Sequence, residues 1–189
     1  PARDRAGPNG LETDTMVAKV GDDFEQLYAG SPFQFQVDER IAMPVRRPER
    51  KLFKLAQFIK KPASLAPELF RTYLAGRYAT LAATMPGLRG MIVNFRTNLD
   101  VMSEFFAADA EGFTSEGITR RETFYEGWDV LVEYWFDEPT QFSSARLSTD
   151  FSPLFEFESA FCSAIFYREV DETVAVLPKR DTPPPFYHR

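Results

Sequence analysis

The sequence predicts an α+β fold: a ferredoxin-like unit of βαββαβ order over residues 51–178, preceded by part of a second copy of the same unit. Two observations carry this reading. From residue 51 onward, stretches of strand period and helix period follow one another as β-α-β-β-α-β. And "FQFQVDERIAMP" at 33–44 nearly repeats "FYREVDETVAVL" at 166–177. Laid together without a gap, Phe33 meets Phe166, Val37 meets Val170, Asp38 meets Asp171, Glu39 meets Glu172 and Ala42 meets Ala175. Further upstream, "DDFEQLYAG" echoes "TDFSPLFEF", once a gap is allowed. The later copy falls at the last strand of the complete unit. The early copy therefore reads as the closing part of a first unit. The expected division is a partial repeat with a loose start at 1–44, a linker at 45–50, the complete unit at 51–178 and a Pro-rich tail at 179–189.

Each element has its own signal. "FQFQV" alternates strictly, as a half-buried strand does. "PVRRPERK" holds two prolines and a run of charge that continues through Lys54, Lys60 and Lys61; it reads as a solvated linker in preference to an anion site. "KLFKLAQFIK" is a strand. "PASLAPELFRTYLAGRYATLAATMPG" is the clearest helix, with Ser64 as N-cap, Pro67 in the first turn and an apolar stripe of Leu69, Phe70, Tyr73, Leu74, Leu81 and Met85. "LRGMIVNFRT" puts Met91, Val93 and Phe95 on one face, and Gly90, Ile92, Asn94 and Arg96 on the other. Residues 98–126 are mixed, with a short helix expected in "LDVMSEFFAADAEG". "WDVLVEYWF" alternates again: Val130, Val132, Tyr134 and Phe136 against Asp129, Leu131, Glu133 and Trp135. Pro139 opens a helical stretch to Phe161, interrupted near Pro153, and the last strand runs from 164 to 177.

Composition excludes several functions. A net charge of −6 is the wrong balance for neutralising nucleic-acid phosphates. No apolar run is long enough for a membrane helix, and the first ten residues have no signal-peptide core. Cys162 is the only cysteine and His188 the only histidine. A Cys/His zinc site, a Ser-His-Asp triad and a Cys-His pair therefore cannot be built within this sequence. No phosphate-cradling Gly loop or nucleophile elbow is present. The reading is a cytoplasmic protein with no metal, no cofactor and no nucleic-acid or membrane partner. The 19 Phe, 7 Tyr and 2 Trp point to a large, aromatic core.

Residues 51–177 resemble the EthD family of the dimeric α+β barrel superfamily on three stretches. "KLFKLAQFIKKPASLAPELFRTYLAGRYATLA" resembles the family's first strand and helix. "MPGLRGMIVN" resembles its turn into strand two, and "WDVLVEYWFDEP" its third strand. Residues 16–44 resemble the tail of a second copy, as in tandem members. The resemblance implies two sheets, from two chains or two repeats, paired into a barrel that takes up small organic molecules, aromatic and polyketide-like ones among them. Some members of the superfamily are cofactor-independent enzymes, some bind haem, and some have no established activity. The family's helix usually carries a His followed by Ala-Pro-Leu-Ala; "YATLA" puts Tyr78 at that place and Thr80 at the Pro.

The expected site lies on the sheet face opposite the helices. Asp129, Glu133, Asn94 and Arg96 share it with Trp135, Ile92 and Leu131, a mixture suited to a small polar aromatic ligand in an enclosed space. In the enzyme reading, Glu133 or Asp129 is the base, Tyr78 the acid, and Arg96 with Asn94 stabilises an oxyanion. The reaction is an isomerisation, decarboxylation, dehydration or cyclisation, by a lyase or isomerase in a homodimer. The alternative is a non-catalytic barrel that binds a small molecule or assists another enzyme. A haem protein ranks last, since no internal His is there to ligate iron. A structural reading pairs Asp129 and Glu133 with Arg96, and makes Tyr78 a core aromatic, Arg77 a solvated helix residue and Cys162 a small buried hydrophobe.

Overall fold

The computed structural model describes residues 36–47, 51–99 and 108–172. The loose start, most of "FQFQV", the central part of "LDVMSEFFAADAEG", the end of the expected last strand and the Pro-rich tail lie outside them. The described residues fall into two compact units, one of 38–95 with 128–172, the other of 36–37, 96–99 and 108–127.

The fold is α+β. Five strands, β1 (Val37–Met43), β2 (Phe53–Lys60), β3 (Leu88–Arg96), β4 (Val130–Phe136) and β5 (Ala164–Val170), form one sheet in the order β1-β3-β4-β2-β5. β2 runs antiparallel to both β4 and β5, and β3 antiparallel to β4. Register sorts the side chains by face. Leu55 stands opposite Tyr134, Gln57 opposite Val132 and Ile59 opposite Val130 on one side; Lys54 opposite Trp135, Ala56 opposite Glu133 and Phe58 opposite Leu131 on the other.

The first face meets the helices. The long helix after β2 has three parts: α1 (Pro67–Tyr73), a π-helical turn at Leu74–Tyr78, and α2 (Ala79–Ala82). Its N-cap is Ala66, without a side-chain bond, in place of the expected Ser64. Proline drives this: Pro67 is pre-set for the first helical position and pushes the residue before it into extended backbone. Phe70, Leu74, Tyr78 and Ala82, four apart each time, are buried, with Ala79 beside them; Leu69 and Tyr73 of the expected stripe are exposed. An α-helix turns every 3.6 residues, so a four-residue repeat drifts off one face. The wider π turn absorbs that drift and keeps Tyr78 and Ala82 pointed at the sheet.

After β4, α4 (Pro139–Leu147) ends at Ser148, a 3₁₀ turn follows at Thr149–Phe151, and α5 (Ser152–Phe161) packs back. The break thus precedes Pro153, which sits in the first turn of α5, where its missing N–H costs nothing. Ala145, Leu154 and Phe157 close the core against Met91, Val93 and Phe136. β5 ends at Val170.

In the smaller unit, α3 (Ser115–Glu126) occupies the stretch that reads as mixed in sequence. Thr114 caps it by accepting the Gly117 N–H at 3.1 Å.

β3 carries a bulge between Leu88 and Gly90. Arg89 is the extra residue, and its guanidinium grips Asp137 at 2.7–3.0 Å. At Gly90 a Cβ would stand 2.7 Å from the Cα of Val45. Only glycine lets the chain after β1 pass this close; the Arg46 N–H then bonds the Arg89 carbonyl at 2.6 Å.

Candidate small-molecule site

The sheet face of the larger unit turned away from α1, α2, α4 and α5, helix-free among the described residues of that unit, gathers most of the residues that the sequence singled out. Glu133, on β4, ion-pairs with Lys54 of β2 at 2.6 Å through one oxygen, and its other oxygen accepts from Asn94 Nδ2 at 3.0 Å. Sequence suggested Arg96 as the partner of Glu133; Lys54 of β2 pairs with it, two residues diagonal to it across the β2–β4 ladder. Trp135 lies beside them, 3% exposed, with the Lys54 ammonium 4.6 Å from its ring centroid. Ile92 and Leu131 occupy the same face, half-buried. Phe58 stacks on Phe166 at 4.6 Å and takes Trp128 edge-on at 5.7 Å, which makes an apolar end to the face.

Two cations of the basic run, Arg47 and Lys54, are part-buried and ion-paired where the sequence suggested solvated charge. Arg47 reaches Glu172 with a two-pronged contact, its Nη2 3.1 Å from Oε1. Trp135 Nε1 donates to the same carboxylate at 3.1 Å, and Lys54 Nζ lies 3.4 Å from it. Lys51 pairs with Asp171. Burial raises the Glu172 carboxyl, but the hydrogen bond and charge of Arg47, then the charge of Lys54, outweigh it and hold the group below its ordinary value.

Asp129 has a structural task. Its carboxylate accepts the Lys61 N–H at 2.9 Å and lies 3.6 Å from Lys60 Nζ, which fastens the chain where it leaves β2. Arg96, at the end of β3, lines a cleft of about 400 Å³ in the smaller unit with Phe113, Ile118, Arg121 and Tyr125.

Tyr78 is not brought together with Glu133. It projects from the π turn onto the helix side of the sheet, and β4 itself separates the two: Tyr134 points to one face, Glu133 to the other. The Tyr78 hydroxyl lies 2.9 Å from Gln57 Oε1, 2.9 Å from Glu158 Oε1 and 3.0 Å from the Tyr134 hydroxyl. Gln57 Nε2 donates to Glu158 and to the Tyr167 hydroxyl, and Arg146 bonds Glu158 at 3.1 Å and Tyr167 at 2.7 Å. Burial pushes the Tyr78 phenol well above its ordinary value, and the neighbouring Tyr134 and Glu158 push it further. Tyr134 and Tyr167 are raised by burial too. At neutral pH Tyr78 is a protonated phenol hydrogen-bonded inside the core. Arg77 is exposed, and Cys162 is half-buried, its thiol pushed up to about 12 by burial and by Glu158.

Sequence reading missed Gln57, Arg146, Glu158 and Tyr167. Two left a trace: Gln57 stands between Leu55 and Ile59 on an apolar strand face, and Glu158 follows Leu154 and Phe157 on an apolar helix stripe. Among the described residues, no group of three His, Cys, Asp or Glu side chains gathers as a metal site requires, and no helix is long and apolar enough to cross a membrane. No protein-family model matches the chain, and no curated protein matches it.

Proposed function

We propose that the protein binds a small organic molecule on the helix-free sheet face, and that it does so without catalysing proton transfer. One observation carries this choice: both oxygens of Glu133 are engaged, by Lys54 and by Asn94. A general base needs an oxygen within reach of the substrate's proton. A carboxylate tied at both ends serves better as part of a polar floor, and the half-buried Ile92 and Leu131 supply the apolar surface beside it, backed by the buried Trp135. The strand order β3-β4-β2-β5, with α1, α2, α4 and α5 packed on one face, supports reading residues 51–172 as a ferredoxin-like unit of the EthD type. On that reading a second copy of the chain closes the face as the opposite wall of a barrel, in a two-fold dimer.

Ile92→Trp tests the proposal, because it fills the face without touching the ion pairs. Small polar aromatic compounds are screened on the full chain by ligand-induced melting shifts, with Leu147→Trp, at a position 88% exposed, as control. The expected result is that compounds stabilise the wild type and the control, while Ile92→Trp weakens them at least tenfold. Equal stabilisation of all three, or no stabilisation of the wild type, would overturn the reading.

A further inference from the structure

The contacts around Glu172 go further than the cluster that anchors them. Arg47 directs two parallel guanidinium N–H groups and Trp135 one indole N–H at a single carboxylate, and the Lys54 ammonium, paired with Glu133 at 2.6 Å, adds its charge 3.4 Å away. They come from three separate places: the chain after β1, strand β4 and strand β2. Planar, two-pronged guanidinium contact is a recognition geometry for carboxylates, and the indole N–H adds direction that a point charge lacks. The occupant is attached differently. Glu172 lies two residues past the end of β5, outside the ladder, and its side chain keeps 20% exposure. The receptor is set by the sheet and by the close pass of Val45 over Gly90; the carboxylate in it hangs from a strand end.

We infer that Arg47, Lys54 and Trp135 Nε1 form a site for the carboxylate of an aromatic acid, and that Glu172 is its built-in competitor. The inference rests on the small-molecule reading above and names the ligand class. The carboxylate replaces that of Glu172 on Arg47 and the indole N–H. The ring lies along Trp135 toward Ile92 and Leu131, on the same face. Glu172 then releases to water, where its charge is solvated. Without ligand, Glu172 keeps two cations and an indole N–H satisfied.

The test uses the full chain and two probes of one shape, 2-naphthoate and its neutral amide 2-naphthamide, measured by calorimetry. If Glu172 fills the site more than about nine-tenths of the time, apparent affinity for a competing acid is lowered by about tenfold or more. Glu172→Gln should therefore bind 2-naphthoate at least tenfold tighter than wild type, and 2-naphthamide within threefold of it. Adding Arg47→Gln to Glu172→Gln should abolish the gain. Glu172→Asp, which keeps the charge but withdraws it by one methylene, should show a gain in the same direction and serves if the Gln variant fails to fold. An unchanged 2-naphthoate affinity in folded variants overturns the inference. If 2-naphthamide still binds in that case, the small-molecule reading survives; if neither probe binds any variant, both fall.

Discussion

Glu158 is 6% exposed and joins three elements: it meets Tyr78 of the π turn, Gln57 of β2 and Arg146 of α4. Removing it leaves Arg146 without its carboxylate and takes from the Gln57 amide one of its two acceptors, the Tyr167 hydroxyl remaining. Glu158→Ala should cost about 1–3 kcal/mol in urea unfolding, the range for leaving buried polar partners unsatisfied, Arg146 itself being exposed. Tyr78→Phe should cost less, about 1–2 kcal/mol, because Gln57 keeps its other partners. The same tyrosines set an alkaline limit. Their folded pKa values are raised, so below about pH 10 the phenols are neutral whether the chain is folded or not. Above it the unfolded chain loses protons that the folded chain keeps, and stability falls as pH rises. Melting temperature should hold to about pH 10 and drop beyond, with a shallower drop in Tyr78→Phe; an equal drop in both would remove Tyr78 from the account. Little of this was legible residue by residue. A polar side chain on an apolar face announces that it needs a partner, but the partners lie from 9 to 110 positions away, and only the fold names them.

At the scale of elements, strand and helix types followed from period, while boundaries followed from local chemistry that period ignores. The π turn illustrates the difference. Four-residue spacing of Phe70, Leu74, Tyr78 and Ala82 was present in the sequence, yet a stripe drawn at 3.6 picked Leu69 and Tyr73, which are exposed. α3 escaped because Gly117 and its threonines weaken the helical signal, and a Thr114 cap is visible only once the helix is placed. Two glycines give a paired prediction, read from thermal melts. A methyl at Gly76 would meet nothing within 4 Å, so Gly76→Ala should stabilise by about 0.5–1 kcal/mol through helix propensity. At Gly90 it would press on the Val45 backbone, so Gly90→Ala should destabilise by about 1–3 kcal/mol. Stabilisation by Gly90→Ala would contradict the close pass that delivers Arg47 to Trp135.

Across the whole molecule, one sheet separates two kinds of interior. The helix side is a hydrogen-bonded aromatic core; the other side carries Glu133, Lys54, Asn94 and Trp135. The alternation of β3 and β4 was enough to predict that division, and it placed Glu133, Trp135, Ile92, Leu131 and Asn94 on one face. It did not separate Tyr78 from them, since a family likeness locates a residue along a helix and not on a side of the sheet. It also undervalued the basic run at 46–54, because a charge cluster in a sequence does not reveal that Glu172 folds back onto it. The central claim is that the helix-free face takes up a small molecule, and the two tryptophans make it directly observable. In a protein with ¹⁵N-labelled tryptophan, Trp135 and Trp128 give two indole N–H resonances, assigned with Trp135→Phe. Titrated with small aromatic amides, phenols and carboxylates, the Trp135 resonance should shift progressively and saturate for at least one compound. A Trp135 resonance that no compound moves would contradict the account.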